Sequence, residues 1–138
     1  MGRNRIQKYL QADTSPLSTP SEMDMMDLWK QAVVYSNDVC QVLERFPEQV
    51  RYELDTKIKS MALSISNHLA RGFQAKSKDE FDRFMGNCIE AIQATVAKLM
   101  VAKSWNYIDR ETALDLFHEG KTLVKYINNR EWTIEDRK

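Results

Sequence analysis

The residues of this chain best equipped for chemistry are few and far apart. Two histidines, His68 and His118, and two cysteines, Cys40 and Cys88, are spread over 138 residues. A metal centre inside a helical bundle needs Glu-x-x-His pairs with further inward carboxylates. Only Asp115-x-x-His118 approaches that spacing, so no metal is expected. The cysteines show no C-x-x-C spacing, and no histidine or cation stands beside either to lower its pKa and make a nucleophile. Each lies among apolar helical neighbours and reads as a reduced, buried packing thiol of a cytosolic protein. His68 follows Ser64 by four residues on the side of an apolar row, and reads as a hydrogen-bonded packing residue. Four glycines build no phosphate-cradling loop. These readings argue against an enzyme and against a cofactor.

One cluster is left over. The stretch SNHLARGFQAKSKDEF, residues 66–81, crosses from one apolar-patterned segment to the next through Arg71, Lys76 and Lys78, with Arg83 just beyond. Asp79, Glu80 and Asp82 are the acids nearby. Two readings stand: a solvated turn between helices, or a contact patch for nucleic acid. Lys+Arg and Asp+Glu both number 20, for a formal charge of zero. A neutral chain is no general polyanion binder, so a contact role would have to be local.

The elements that carry these residues are helices. From Met23 onward apolar residues recur at steps of three and four. The spacing predicts a first helix from about Asp24 to Arg45, with Met25, Leu28, Ala32, Tyr35, Val39, Val42 and Phe46 on one face. Phe46-Pro47 ends it, and Pro47 suits the first turn of a second helix carrying Val50, Leu54, Ile58, Met61, Ile65 and Leu69. Gly72 is expected to stop that helix in a left-handed conformation. Ser77-Lys78-Asp79-Glu80 reads as a capping box, opening a third helix with Phe81, Phe84, Met85, Cys88, Ile89, Ile92, Val96, Leu99 and Met100 inward, to near Trp105. Asn106 suits the left-handed residue that follows. Asp109 caps a fourth helix, whose Ala113, Leu116, Phe117, Leu123, Val124 and Ile127 are expected to face inward. Gly86 and Gly120 stand mid-helix, where close helix contact would offset their cost of about 1 kcal/mol against Ala.

Four helices with short connections make an all-α, antiparallel up-down four-helix bundle over residues 23–131. Residues 1–22, with Pro16 and Pro20, read as a flexible N-terminal arm with a short helix near Ile6 to Leu10. Residues 132–138 read as a C-terminal tail, polar around the one Trp132. No apolar run approaches the ~20 residues of a membrane span, and the start lacks a signal h-region and the Ser or Thr of a myristoylation site. A soluble cytoplasmic protein with no membrane role is expected. Acids near helix starts and cations near helix ends account for much of the remaining charge, at about 0.3–1 kcal/mol each in the terminal turns. Second apolar rows run beside the main ones: Met26, Trp29, Val33, Cys40 and Leu43 on the first helix, and Ala62, Leu69 and Phe73 on the second. Two stripes per helix imply either a wide core face or self-association.

With these landmarks placed, residues 26 to 128 resemble the small bacterial four-helix-bundle proteins encoded by intervening sequences in 23S ribosomal RNA genes. Phe46-Pro47 with Arg51-Tyr52 and Leu54, then Ser64-Ile65, Ala70 and Gly72-Phe73, then Ser77, Glu80-Phe81 and Phe84, and finally Ala102-Lys103 with Tyr107-Ile108 carry the likeness. The chain departs from that family's usual pattern at Ser66, Asn67-His68, Arg71 and Ala94. The resemblance implies a ring-forming bundle, commonly a homopentamer, with no known enzymatic activity. Related accessory proteins of diversity-generating retroelements bind a reverse transcriptase and RNA through basic surfaces. The sequence therefore carries two function classes. One is a non-catalytic, self-assembling bundle that binds RNA or a ribonucleoprotein partner through Arg71, Lys76, Lys78 and Arg83. The other is a protein–protein scaffold whose partner docks on the ring or on residues 1–22.

Overall fold

The computed structural model describes residues 22–50, 54–129 and Trp132, with side chains at 25–49, 54–129 and 132. The expected N-terminal arm, the Arg51-Tyr52 corner and the tail beyond Trp132 lie outside the described residues. Four long helices follow one another: α1 (Glu22–Leu43), α2 (Thr56–Phe73), α3 (Lys78–Ser104) and α4 (Arg110–Asn128), with a single helical turn at Glu48–Val50 after Pro47. No strand occurs among the described residues. α1 packs on α2, α2 on α3, α3 on α4, and α4 closes back on α1. That closed circle of neighbours, joined by short connections, is the arrangement an up-and-down four-helix bundle requires.

The apolar periodicity builds the core. Leu28, Ala32, Tyr35 and Val39 of α1 are wholly buried, as are Ile58, Ala62, Ile65 and Leu69 of α2 and Cys88 of α3. Each such Leu, Ile or Val stabilises the fold by about 1.5–3 kcal/mol relative to exposure. The second row expected on α2 is therefore spent inside the chain's own core. Ala62 and Leu69 are 0% exposed, and half-buried Phe73 lies 6.3 Å from the Trp132 ring. On α1 the second row divides. Leu43 is buried, Trp29, Val33 and Cys40 are half-buried, and Met26 stands out at 53% exposure.

The helix ends follow local chemistry, with two corrections. Ser77 Oγ accepts from the Glu80 amide at 3.2 Å, as a capping residue should, but the Glu80 carboxylate reaches back to the amide of Lys76 rather than of Ser77. Asp109 accepts from the Thr112 amide and hydroxyl, and Asn106 is left-handed at φ 64°. Gly72, by contrast, has no positive φ and lies inside α2, whose cap is Gln74. Its missing side chain serves packing: a Cβ there would collide with the terminal methyl of Met85 and stand 3.3 Å from Phe84 Cβ. Gly120 has the same use on α4, where a Cβ would meet Val96 Cγ2 at 2.8 Å and the Tyr35 hydroxyl at 3.2 Å. Gly86 meets nothing within 4 Å, so close helix contact does not explain it.

Candidate functional site: a polar groove between α2 and α3

The four basic residues of the crossing all lie at one end of the bundle, and all are exposed. Arg71 sits in the last turn of α2 and Lys76 in the connection. Lys78 opens α3, and Arg83 follows one turn later. Their electrostatic states differ. Lys78 is ion-paired with Asp82 one turn along the same helix, both side chains more than half exposed, a contact worth about 0.3–0.5 kcal/mol. Arg83 spreads over the Phe84 ring at 5.1 Å. Arg71, Lys76 and Arg83 make no ion pair among the described residues. Glu80 accepts from the Lys76 amide and keeps its charge there, so it offsets the patch only as a neighbour and not as a direct ion pair. Arg71, Lys76 and Arg83 leave their charged groups exposed to a partner.

The patch continues into a groove the sequence reading did not single out. Between α2 and α3 a depression of about 840 Å³ is lined by Lys57, Ser60, Ser64, His68, Asn87 and Lys98, with Glu90 as its one carboxylate and apolar Met61, Ala91 and Ala94 in its walls. The register explains it. On α2, Lys57, Met61, Ser64, His68 and Arg71 follow at steps of three and four; on α3, Arg83, Asn87, Glu90, Ala94 and Lys98 do the same. Each set is one stripe of its helix with a cation at both ends; between them Ser64 and His68 alternate with Met61 on α2, and Asn87 and Glu90 with Ala94 on α3. Those stripes were legible in the sequence as gaps in the apolar pattern. Lys57 and Arg71 stand fourteen residues apart, about 21 Å along an α-helix.

His68 is not the hydrogen-bonded packing residue expected. Its Nδ1 is buried and has no hydrogen-bond partner among the described residues. Burial, and secondarily the Arg71 charge beside it, hold its pKa below the ordinary histidine value. At neutral pH it is an uncharged ring with an acceptor nitrogen at the groove wall. The second histidine, His118, is exposed, its ring edge-on to Phe117 at 5.4 Å. Among the described residues no group of three or more His, Cys, Asp or Glu is placed to hold a metal ion. Cys88 Sγ donates weakly to the Ile65 carbonyl at 3.7 Å, and burial pushes its thiol up to about 12. Cys40 is half-buried, its pKa raised mainly by burial. Neither thiol has the electropositive setting of a nucleophile.

The profile of the 23S rRNA-intervening sequence proteins matches residues 24–129. The chain belongs to that family. The match runs from the first turn of α1 to the residue that caps α4, so the family's shared unit is the four helices described above. None of the curated proteins matches the chain. Two positions at which the resemblance implies a departure from the family pattern, His68 and Ala94, both line the α2–α3 groove. A third, Arg71, adds a cation at its end. Trp132 lies past the matched span but is packed all the same. Its ring lies 5.9 Å from Phe81, and its Nε1 donates to the Ile127 carbonyl at 3.0 Å. It covers the core directly beneath the basic turn, a placement no periodicity announces because it follows the last helix. The membrane reading also meets an observation: no described helix is long and apolar enough to cross a bilayer.

Proposed function

We propose that this protein is a non-catalytic, self-assembling bundle that binds RNA, alone or within a ribonucleoprotein, along the α2–α3 groove and the basic turn at its end. The observation that carries the reading is a cluster of exposed cations without a direct ion pair. Arg71, Lys76 and Arg83 have no anionic partner among the described residues, and Lys57 and Lys98 stand at the far end of the same groove. Between them lie hydroxyl, amide and imidazole groups suited to ribose and base edges, which is how unpaired RNA is recognised. The cations along about 21 Å suit several successive phosphates, and each phosphate contact would contribute about −0.7 to −0.9 to the slope of log affinity against log salt. Self-assembly repeats the groove around an axis. A homopentameric ring, as the family resemblance implies, would multiply a patch that is weak on one neutral chain. No residue arrangement described here calls for a catalytic role, and the proposal contains none.

The test is affinity for fragments of structured ribosomal RNA, followed by filter binding from low to moderate salt. Arg71→Glu with Lys76→Glu should lower affinity about tenfold or more and flatten the salt slope by about two. Equal affinity of the double variant and the wild type would overturn the reading. It would favour instead a scaffold that docks a protein partner.

A further inference from the structure

We infer that Trp105 is a stacking platform for an unpaired RNA base, set at the end of the α2–α3 groove opposite the basic turn. The inference deepens the RNA reading above and rests on it. Three tryptophans occur in the chain. Trp132 is buried and Trp29 half-buried, whereas Trp105 is 56% exposed, the one exposed aromatic ring among the described residues. Val101, one turn before it, is exposed as well. A lone exposed apolar residue needs no explanation, but an exposed indole that continues a groove flanked by cations does. Register puts it there. The α3 stripe of the groove runs 83, 87, 90, 94 and 98, and the same steps of three and four carry it on to Val101 and Trp105. Although α3 ends at Ser104, the Trp105 amide still donates to the Val101 carbonyl at 3.2 Å, so Trp105 keeps the register of that stripe.

The turn after α3 holds the ring in place. With Asn106 left-handed, the Asn106 amide donates to the Lys103 carbonyl at 2.9 Å and the Tyr107 amide to the Ala102 carbonyl at 3.0 Å. These are the paired bonds of a Schellman helix end. The turn brings Tyr107 back beside Trp105, the two rings edge-on with centroids 5.9 Å apart. Tyr107 in turn lies 5.9 Å from the ring of buried Phe46. The indole is thus braced against the core through two rings while more than half of it stays open to solvent. A preplaced flat ring loses little freedom when a base stacks on it. Cations for the flanking phosphates stand close by. Lys98 precedes Trp105 by seven residues, about 10.5 Å along the helix. Lys57 lines the same end of the groove, and Lys103 lies in the last turn of α3. Unpaired RNA is held in this way, its bases stacked on aromatic rings and its backbone following the positive charge. A protein partner would also cover an indole, but the cations on the same stripe and the polar groove leading to the ring favour RNA.

Tryptophan fluorescence of the full chain tests this. The probes are a short oligoadenylate and a blunt RNA duplex carrying as many phosphates. Oligoadenylate should quench the emission in step with its binding, and the duplex, whose bases are already stacked, should leave the emission unchanged. Trp105→Ala should abolish the quenching and lower oligoadenylate affinity about tenfold. Its salt slope should stay that of the wild type, because no phosphate contact is lost. Trp105→Phe should keep most of the affinity, whereas Trp105→Leu, apolar but without a π-face, should not. Circular dichroism checks that each variant stays helical; if Trp105→Ala does not, the Phe and Leu variants carry the comparison. Equal affinity of Trp105→Ala and the wild type would overturn the platform and leave salt-sensitive RNA binding standing. So would Trp105→Leu binding as well as Trp105→Phe, equal quenching by the duplex, or structured ribosomal RNA that binds where oligoadenylate does not. A wild type that binds neither probe nor ribosomal RNA would overturn the RNA reading itself, and this inference with it.

Discussion

Two grooves share α3, and they differ in character. The α2–α3 groove mixes hydroxyl, amide, imidazole, carboxylate and ammonium groups with apolar Met61, Ala91 and Ala94, whereas the α3–α4 groove is almost wholly apolar, with Val96, Met100, Phe117 and Val124 in its walls. On α3 the difference is one of register alone. Residues 83, 87, 90, 94 and 98 form one stripe, and 93, 96, 97 and 100 form another about a third of a turn away. Phe81, Met85, Cys88, Ile92 and Leu99 fill the core from α3, and of the two stripes only Val96 and Met100 also pack against it. The lesson is that both outer stripes of a core helix remain available for a surface task. A polar stripe is satisfied by water, so it can wait for a charged ligand. An apolar stripe gains free energy only when something covers it.

The comparison sharpens under mutation, beginning with the effect expected to be largest. Gly120→Ala puts a methyl against stiff, β-branched Val96 at 2.8 Å and against the Tyr35 hydroxyl and Ile92 Cγ2 at 3.2 and 3.3 Å. Overpacking of this kind should destabilise by about 1–3 kcal/mol, read as a lower midpoint in urea. An unchanged midpoint would mean that the apolar groove is softer than its packing suggests. Next, Lys57→Glu with Lys98→Glu reverses the far end of the polar groove. RNA affinity should fall about tenfold, or 1.4 kcal/mol, without change in molar mass. Unchanged affinity would confine the RNA site to the turn. Gly86→Ala should go the other way. With nothing within 4 Å of the new methyl, it should stabilise by about 0.5–1 kcal/mol through helix propensity alone.

The smallest effect concerns His68. Its folded pKa is lowered, by burial first and by Arg71 second, so the unfolded chain binds the proton before the folded chain does. Stability should therefore hold above the ordinary value of 6.5 and fall as pH drops through and below it. His68→Gln should shrink the loss between about pH 7.5 and pH 5 in denaturant titrations. An equal loss in both chains would remove His68 from the account.

Much of this was legible in the sequence. The four helices, Ser77 and Asp109 as caps, left-handed Asn106 and nearly all of the core follow from spacing and local chemistry. The misses share a cause: they depend on what lies across from a residue. Gly72 looks like a helix stop until α3 is seen packed against it. Phe117 fits the inward period of α4, yet the α3–α4 crossing leaves it in the groove wall. Ala62 and Leu69 look like a spare row until α1 and α3 close over them. Trp132 has no period to belong to, and only the Phe73 and Phe81 rings explain its burial. Of the site, the basic turn was visible as charge without a helix-dipole role. The groove behind it needed α2 and α3 side by side.

The central claim is that the assembled protein binds RNA on its polar face while its apolar faces hold the copies together. Molar mass by light scattering, at low and at high salt, with and without ribosomal RNA fragments, tests it most directly. The account predicts an oligomer at both salts, because apolar contacts are not screened, and an added RNA mass at low salt that disappears at high salt. A monomer of 16.1 kDa that ignores RNA at every salt would contradict it.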